Sequence, residues 1–160
     1  NQIINRTGVN YSIFEQALIK LCECMAFEIV NDGEGVTKVI TITVKGATTK
    51  SEAETVAREI AGSVIFKTGM YGQTACWGNI VQAIGATDVP INPDKINIFM
   101  NGVQVCENGM YNGIKPADGR TILNKRSLQV TIDIGMGRAS DWIITTDLSY
   151  DYVKINSQYI

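Results

Sequence analysis

Histidine is missing from all 160 residues, and with it go the commonest general base and the commonest metal ligand. A Cys-His pair or a Ser-His-Asp triad is therefore excluded within this chain. Basic charge is also scarce. The 14 Lys and Arg stand against 16 Asp and Glu, a net charge of -2, so no positive field steers the chain towards phosphate backbones and nucleic acid is not an expected partner. No apolar run approaches the roughly 20 residues that a membrane-spanning helix needs. The opening NQIINRTG lacks the charged and apolar regions of a signal peptide, so no membrane association is expected and the expected location is the cytoplasm, or the mitochondrial matrix in a eukaryote. The four cysteines, Cys22, Cys24, Cys76 and Cys106, form no CxxC pair, which argues against a disulfide framework or a zinc site. Cys22 and Cys24 lie two apart on a helical stretch, cannot chelate one ion together, and read as buried structural thiols.

What is present, 45% apolar and 19% charged residues, suits an ordinary globular chain with one sizeable core. One domain is expected, or two small intimate units of about 1–90 and 91–160. Ser12 and Glu15 read as a capping box opening a long amphipathic helix from about Ser12 to Val30, with Phe14, Leu18, Leu21, Met25 and Ile29 at helical spacing. Asn31-Asp32-Gly33 reads as its stop, with Gly33 as a left-handed cap. Thr37–Lys45, rich in β-branched residues, predicts a strand covered on at least one face. Ser51 and Glu54 predict a second capping box and helix, with Val56, Ala57, Ile60, Ala61 and Val64 as its stripe.

The segment KTGMYGQTACWGNIVQAIG, from Lys67 to Gly85, reads as a glycine-punctuated loop ending in a short helix around Ile80–Ile84, and Pro90 and Pro93 mark a connector. Asn101-Gly102 between two apolar runs is the strongest short signal of a β-hairpin. Leu128, Val130, Ile132 and Ile134 alternate as a half-buried strand, and Trp142–Asp147 predicts another. Ser149–Ile160 reads as a terminal helix with Tyr152, Ile155 and Tyr159 on one face, or as a further extended piece, with the helix favoured. The fold class expected is α+β, a mixed sheet with two or three helices packed on it. Trp77 and Trp142 read as structural anchors, Cys76 as a packed thiol, and Asp147 and Asp151 as surface acids within reach of Lys154.

The stretch NDGEGVTK places Glu34 between two glycines at the junction of helix and strand. In the simplest account Gly33 and Gly35 serve backbone geometry and Glu34 is solvated. A phosphate loop fails, because the Walker spacing is absent and a carboxylate would repel the anion. Calcium fails for want of further oxygen ligands. What remains beside the simple account is a carboxylate held rigidly to receive a cationic group such as an ammonium. Lys38 either neutralises a substrate carboxylate or balances Glu34 and Asp32.

Together, DGEGVTK before a strand, KTGMYGQTACWGNIVQAIG in the middle and DLSYDYVKINSQY at the end resemble the ornithine acetyltransferases, also called bifunctional glutamate N-acetyltransferases. The matches run from about Asn31 to Tyr159. The resemblance implies an acyltransferase of arginine biosynthesis that moves acetyl from N-acetylornithine to glutamate. Its precursor cuts itself in two and exposes an N-terminal threonine nucleophile, whose own amine serves as base, so no histidine is needed. Some members also use acetyl-CoA as a co-substrate, and no bound cofactor is implied.

By the same resemblance, Glu34 and Asn156 take the positions of the family's substrate-binding glutamate and asparagine, with Asp32, Gly33, Gly35, Lys38, Lys67, Thr68 and Trp77 in support. Val36, Cys76 and Asn79 depart from the family's usual alanine, asparagine and basic residue. The chain holds neither the threonine nucleophile nor the oxyanion segment. The expectation is thus the carboxyl-terminal part of the second, or β, chain, inactive alone, with the α chain and the rest of the β chain as hetero-oligomeric partners and N-acetylornithine, ornithine and glutamate as ligands. A stand-alone module binding an amino acid or a protein, or a fragment of a related N-terminal-nucleophile aminopeptidase, stays open at this point.

Overall fold

The computed structural model describes residues 8–114 and 116–158. The chain runs α1 (Val9–Asn31), β1 (Val39–Ala47), α2 (Lys50–Gly62), α3 (Val64–Tyr71), α4 (Trp77–Gly85), β2 (Asn97–Met100), β3 (Val103–Glu107), β4 (Met110–Tyr111), α5 (Pro116–Ile122), β5 (Ser127–Asp133), β6 (Ala139–Thr146) and α6 (Tyr150–Ser157). The six strands form one sheet in the order β4-β3-β2-β5-β1-β6. Only the β1–β5 pair is parallel; the other neighbours are antiparallel. The α+β class and mixed sheet are as expected.

Alternation along β1 and β5 explains the core. Ile40, Ile42 and Val44 of β1 pair in register with Leu128, Val130 and Ile132 of β5, and all six are fully buried. They point to the face closed by α2, whose Val56, Ala57 and Ile60 are also buried, and by Phe66, Met70, Ile80 and Ile84 of α3 and α4. The Asn101-Gly102 hairpin forms between β2 and β3, with φ of 47° and 81° at its two central residues, the left-handed values that Asn and Gly tolerate best.

Several boundaries differ from expectation. α1 starts at Val9 with Gly8 as its N-cap and no side-chain cap bond, so Ser12 lies inside the helix rather than at its start. The capping box of α2 is Thr49 with Glu52, not Ser51 with Glu54. Both pairs have the same T/S-x-x-E spacing, and the earlier one wins by adding helical residues upstream. Glu54 instead pairs with Arg58 at 2.8 Å. Lys67–Tyr71 is helical rather than loop: Ser63 accepts the amide of Phe66 to cap α3, and Gly69 leaves room for Asn79, which donates to the carbonyl of Ile65. Val64, expected in the stripe of α2, instead opens α3 and is 64% exposed, because α2 ends at Gly62. The α-helices number six among the described residues, against the two or three expected. α6 forms as expected, capped by Ser149; Tyr159 lies outside the described residues.

The second face of the sheet is different. Phe99, Thr131, Thr43 and Trp142 form a row across it by register, and α1 meets this side at β6, where Cys24 and Phe27 approach Trp142 and Ile144. The apolar stripe of α1, Phe14, Leu18, Leu21, Met25 and Ile29, is 46–72% exposed. Cys22 and Cys24 are exposed as well, which corrects the expectation of buried thiols: α1 carries apolar side chains, Ile13 and Ile19 beside the stripe included, that the described residues do not cover. Among the described residues, no helix is long and apolar enough to cross a membrane.

Candidate functional site

Asn31 ends α1, and the chain then reverses before β1 in a tight turn closed by the amide of Val36 donating to the carbonyl of Gly33 at 3.2 Å. Glu34 occupies the second position of this turn and Gly35 the third, with φ +65°. Positive φ at the third position alone is what a type II turn demands, which explains the second glycine. Gly33 is not in the left-handed region, so the cap expected there is absent. Asp32 is the cap beyond the last helical residue, its amide donating to the carbonyl of Glu28 at 3.0 Å.

Gly35 has a further reason to lack a side chain. A Cβ there would stand 2.3 Å from the amide nitrogen of Tyr152 and 2.8 Å from its Cα. The first turn of α6 thus sits directly on the Glu34 turn. Ser149 donates its hydroxyl to the carbonyl of Gly35 at 2.5 Å and accepts the amide of Tyr152 at 3.1 Å, so one side chain both caps α6 and ties it to the turn. Two turns along the same helix, Asn156 Nδ2 donates to Glu34 Oε2 at 3.3 Å, bridging 122 residues of sequence. Its other amide hydrogen goes to the carbonyl of Tyr152 at 2.9 Å.

That arrangement leaves Glu34 Oε1 and Asn156 Oδ1 without donors among the described residues, on two exposed residues joined by a hydrogen bond. No lysine or arginine among them lies within ion-pair distance of Glu34. Two open oxygen acceptors on bonded side chains, one of them anionic, suit a group with several N–H donors and a positive charge.

Two clamps hold the turn. Asp147, at the exit of β6 and only 4% exposed, accepts the amides of Thr37 at 3.0 Å and Lys38 at 2.9 Å, and also the Thr37 hydroxyl. The expectation of a surface acid paired with Lys154 is therefore wrong; Asp147 is a buried carboxylate that satisfies the start of β1. On the other side, Arg126 bonds Asn31 and the carbonyl of Val36.

Lys38 is 4% exposed, and its ammonium donates to the carbonyls of Leu123 at 2.7 Å and Lys125 at 3.2 Å. Neither of the two roles considered from sequence matches this placement: the ammonium holds the segment leading into β5. Burial pushes it below its ordinary range, with the Asp147 carboxylate acting more weakly in the opposite direction. Between that depressed value and the ordinary 10.5, the unfolded chain retains a proton that the folded chain has lost, so this group makes stability rise with pH in that window. Lys38→Met removes this contribution. Urea midpoints from pH 7 upward are expected to rise less steeply in the variant, and parallel curves would contradict the assignment.

Of the remaining expected residues, the carbonyl of Lys67 accepts the amide of Leu148. Thr68 shares a depression of about 400 Å³ with Tyr71, Ser149, Tyr150 and Val153; Glu34 and Asn156 do not line it. Tyr71 and Tyr150 pack edge to face at 5.5 Å. Asp32 is exposed at the helix end. Trp77 is not brought to this place: it packs against the core and lines a separate depression with Thr74, Cys76, Tyr111 and Ile114. Cys76 and Asn79 bond to each other at 3.3 Å. Sequence reasoning missed Arg126, the tie from Ser149 to Gly35 and the true place of Asp147, because each of these bonds reaches a backbone group distant in sequence.

Comparison with known proteins follows the same lines. Residues 2–160 match the sequence profile described as the ArgJ family. The arginine biosynthesis bifunctional protein ArgJ of Geobacter sulfurreducens is 38% identical over 148 residues, covering 92% of this chain and 37% of that protein. The protein of the same name from Oceanobacillus iheyensis is 37% identical over 161 residues, covering 99% of this chain and 39% of that protein. The crystal structure of the arginine biosynthesis bifunctional protein ArgJ from Bacillus halodurans superposes with a TM-score of 0.93 at 32% identity, over 99% of this chain and 75% of that one. The chain thus spans well under half the length of these two relatives, yet the profile runs through both arms of the Glu34 turn and through α6: this chain belongs to the ArgJ family.

Proposed function

We propose that residues 1–160 act as the carboxyl-terminal, substrate-holding part of the β chain of an acetyltransferase that moves acetyl from N-acetylornithine to glutamate in arginine biosynthesis. The observation that carries this reading is the pairing of Glu34 with Asn156, which leaves Glu34 Oε1 and Asn156 Oδ1 without donors among the described residues. N-acetylornithine has its α-amine acylated, so its side-chain ammonium is its one cationic group, and that ammonium is the group Glu34 receives. Asn156 both orients the carboxylate and accepts from the same ligand.

The acyl chemistry belongs to a threonine nucleophile outside this chain. Its oxygen attacks the acetyl carbonyl, ornithine leaves with the proton on its α-nitrogen, and the amine of glutamate then takes the acetyl from the threonine ester. Acetyl-CoA as an alternative donor would enter at the same ester. The exposed stripe of α1 and the exposed Trp142 support burial against the α chain and the remainder of the β chain, since apolar surface of this extent is rarely left in water. The reaction is assigned to the cytoplasm, or to the mitochondrial matrix in a eukaryote.

Glu34→Gln, made in the complete enzyme and assayed for acetyl transfer from N-acetylornithine to glutamate, tests the reading. A charge-assisted bond contributes about 1.5–3 kcal/mol, so the KM for N-acetylornithine is expected to rise by about 10- to 100-fold with a smaller change in kcat. An unchanged KM in a folded variant would remove the role assigned to Glu34.

A further inference from the structure

Arg126 stands just ahead of β5, and its own carbonyl accepts the amide of Val39, which fixes its backbone to the start of β1. Its guanidinium makes three bonds, all to the two arms of the Glu34 turn. Nε donates to Asn31 Oδ1 at 3.1 Å, Nη2 to the carbonyl of Asn31 at 2.8 Å, and Nη1 to the carbonyl of Val36 at 3.1 Å. Asn31 is the last residue of α1 and Val36 closes the turn, so one rigid fork spans the four residues that present Glu34. A guanidinium is planar and its donors keep fixed mutual directions. The separation of the two arms is therefore set by the guanidinium itself.

We infer that Arg126 is a positioning residue for substrate recognition: by bridging Asn31 and Val36 it fixes the span of the turn, and through that span the approach of the Glu34 carboxylate to Asn156. This rests on the reading of Glu34 as the ammonium acceptor. It is distinct from simple helix capping, in which any cation at the carboxyl end of α1 would serve. A lysine at this position supplies the same charge to the end of α1 but has a single nitrogen, which cannot hold both arms in fixed relation.

The test compares Arg126→Lys, Glu34→Gln and the double variant in the complete enzyme, with KM and kcat for N-acetylornithine and a urea midpoint for each. Arg126→Lys is expected to raise KM by about fivefold or more at an almost unchanged midpoint, and to add less than about twofold in the Glu34→Gln background, because coupled residues are not additive. An unaltered KM in Arg126→Lys, beside a raised KM in Glu34→Gln, overturns the positioning role and leaves the functional reading intact. Equal factors in both backgrounds, or a KM change that merely follows a fallen midpoint, assign Arg126 to helix capping and also overturn it. A flat KM in Glu34→Gln removes the reading and the inference together.

Discussion

Gly35→Ala is expected to detach α6 from the turn that carries Glu34. At φ +65° any residue with a Cβ is strained, and the left-handed region costs a non-glycine residue about 1–3 kcal/mol. Steric conflict adds to this. The new Cβ would lie 2.3 Å from the Tyr152 nitrogen, 2.8 Å from its Cα and 2.9 Å from the Asp151 carbonyl carbon, all backbone atoms that cannot rotate aside. The helix must therefore move, which breaks the Ser149 bond to the Gly35 carbonyl and the Asn156 bond to Glu34. Loss of hydrogen-exchange protection confined to residues 150–157, with the sheet amides unaffected, is the expected signature. Protection of α6 equal to that of the unsubstituted chain would contradict the packing described.

Asp147→Ala is expected to destabilise the whole chain. Its carboxylate is the acceptor for two amides and one hydroxyl at the entrance to β1, a strand paired on both sides, and its field favours the buried Lys38 ammonium. Removing one partner from a buried charged network costs about 3–5 kcal/mol, and each amide left without an acceptor contributes to that cost. Asp147→Asn retains an oxygen for both amides and is expected to recover much of the loss. Equilibrium urea unfolding of the two variants distinguishes them, and equal midpoints for alanine and the unsubstituted chain would refute the buried role.

Legibility varied with the range of the interaction. β1, β5 and the hairpin at Asn101-Gly102 were readable because alternation and turn chemistry are local and nothing competes with them. The helix starts were less readable, since T/S-x-x-E occurs in two overlapping frames around α2 and spacing alone does not choose between them. Gly69 and Gly72 suggested a loop, yet Gly69 sits within α3, where its missing side chain admits Asn79. The pairing of Glu34 with Asn156 came from the family resemblance and not from any periodicity. Asp147 and Arg126 were opaque for a physical reason: they bind backbone groups 90 to 110 residues away, and backbone has no sequence signature. The exposure of Cys22 and Cys24 was equally hidden, because an amphipathic stripe states that a face seeks burial and not that this chain supplies it.

The most direct measurement is a structure of the complete enzyme with ornithine bound. The account predicts an ammonium nitrogen of the ligand within about 3 Å of Glu34 Oε1, with Asn156 still bonded to the other carboxylate oxygen. A ligand ammonium held elsewhere, or a lysine or arginine from the remaining chain closing over Glu34, would contradict it.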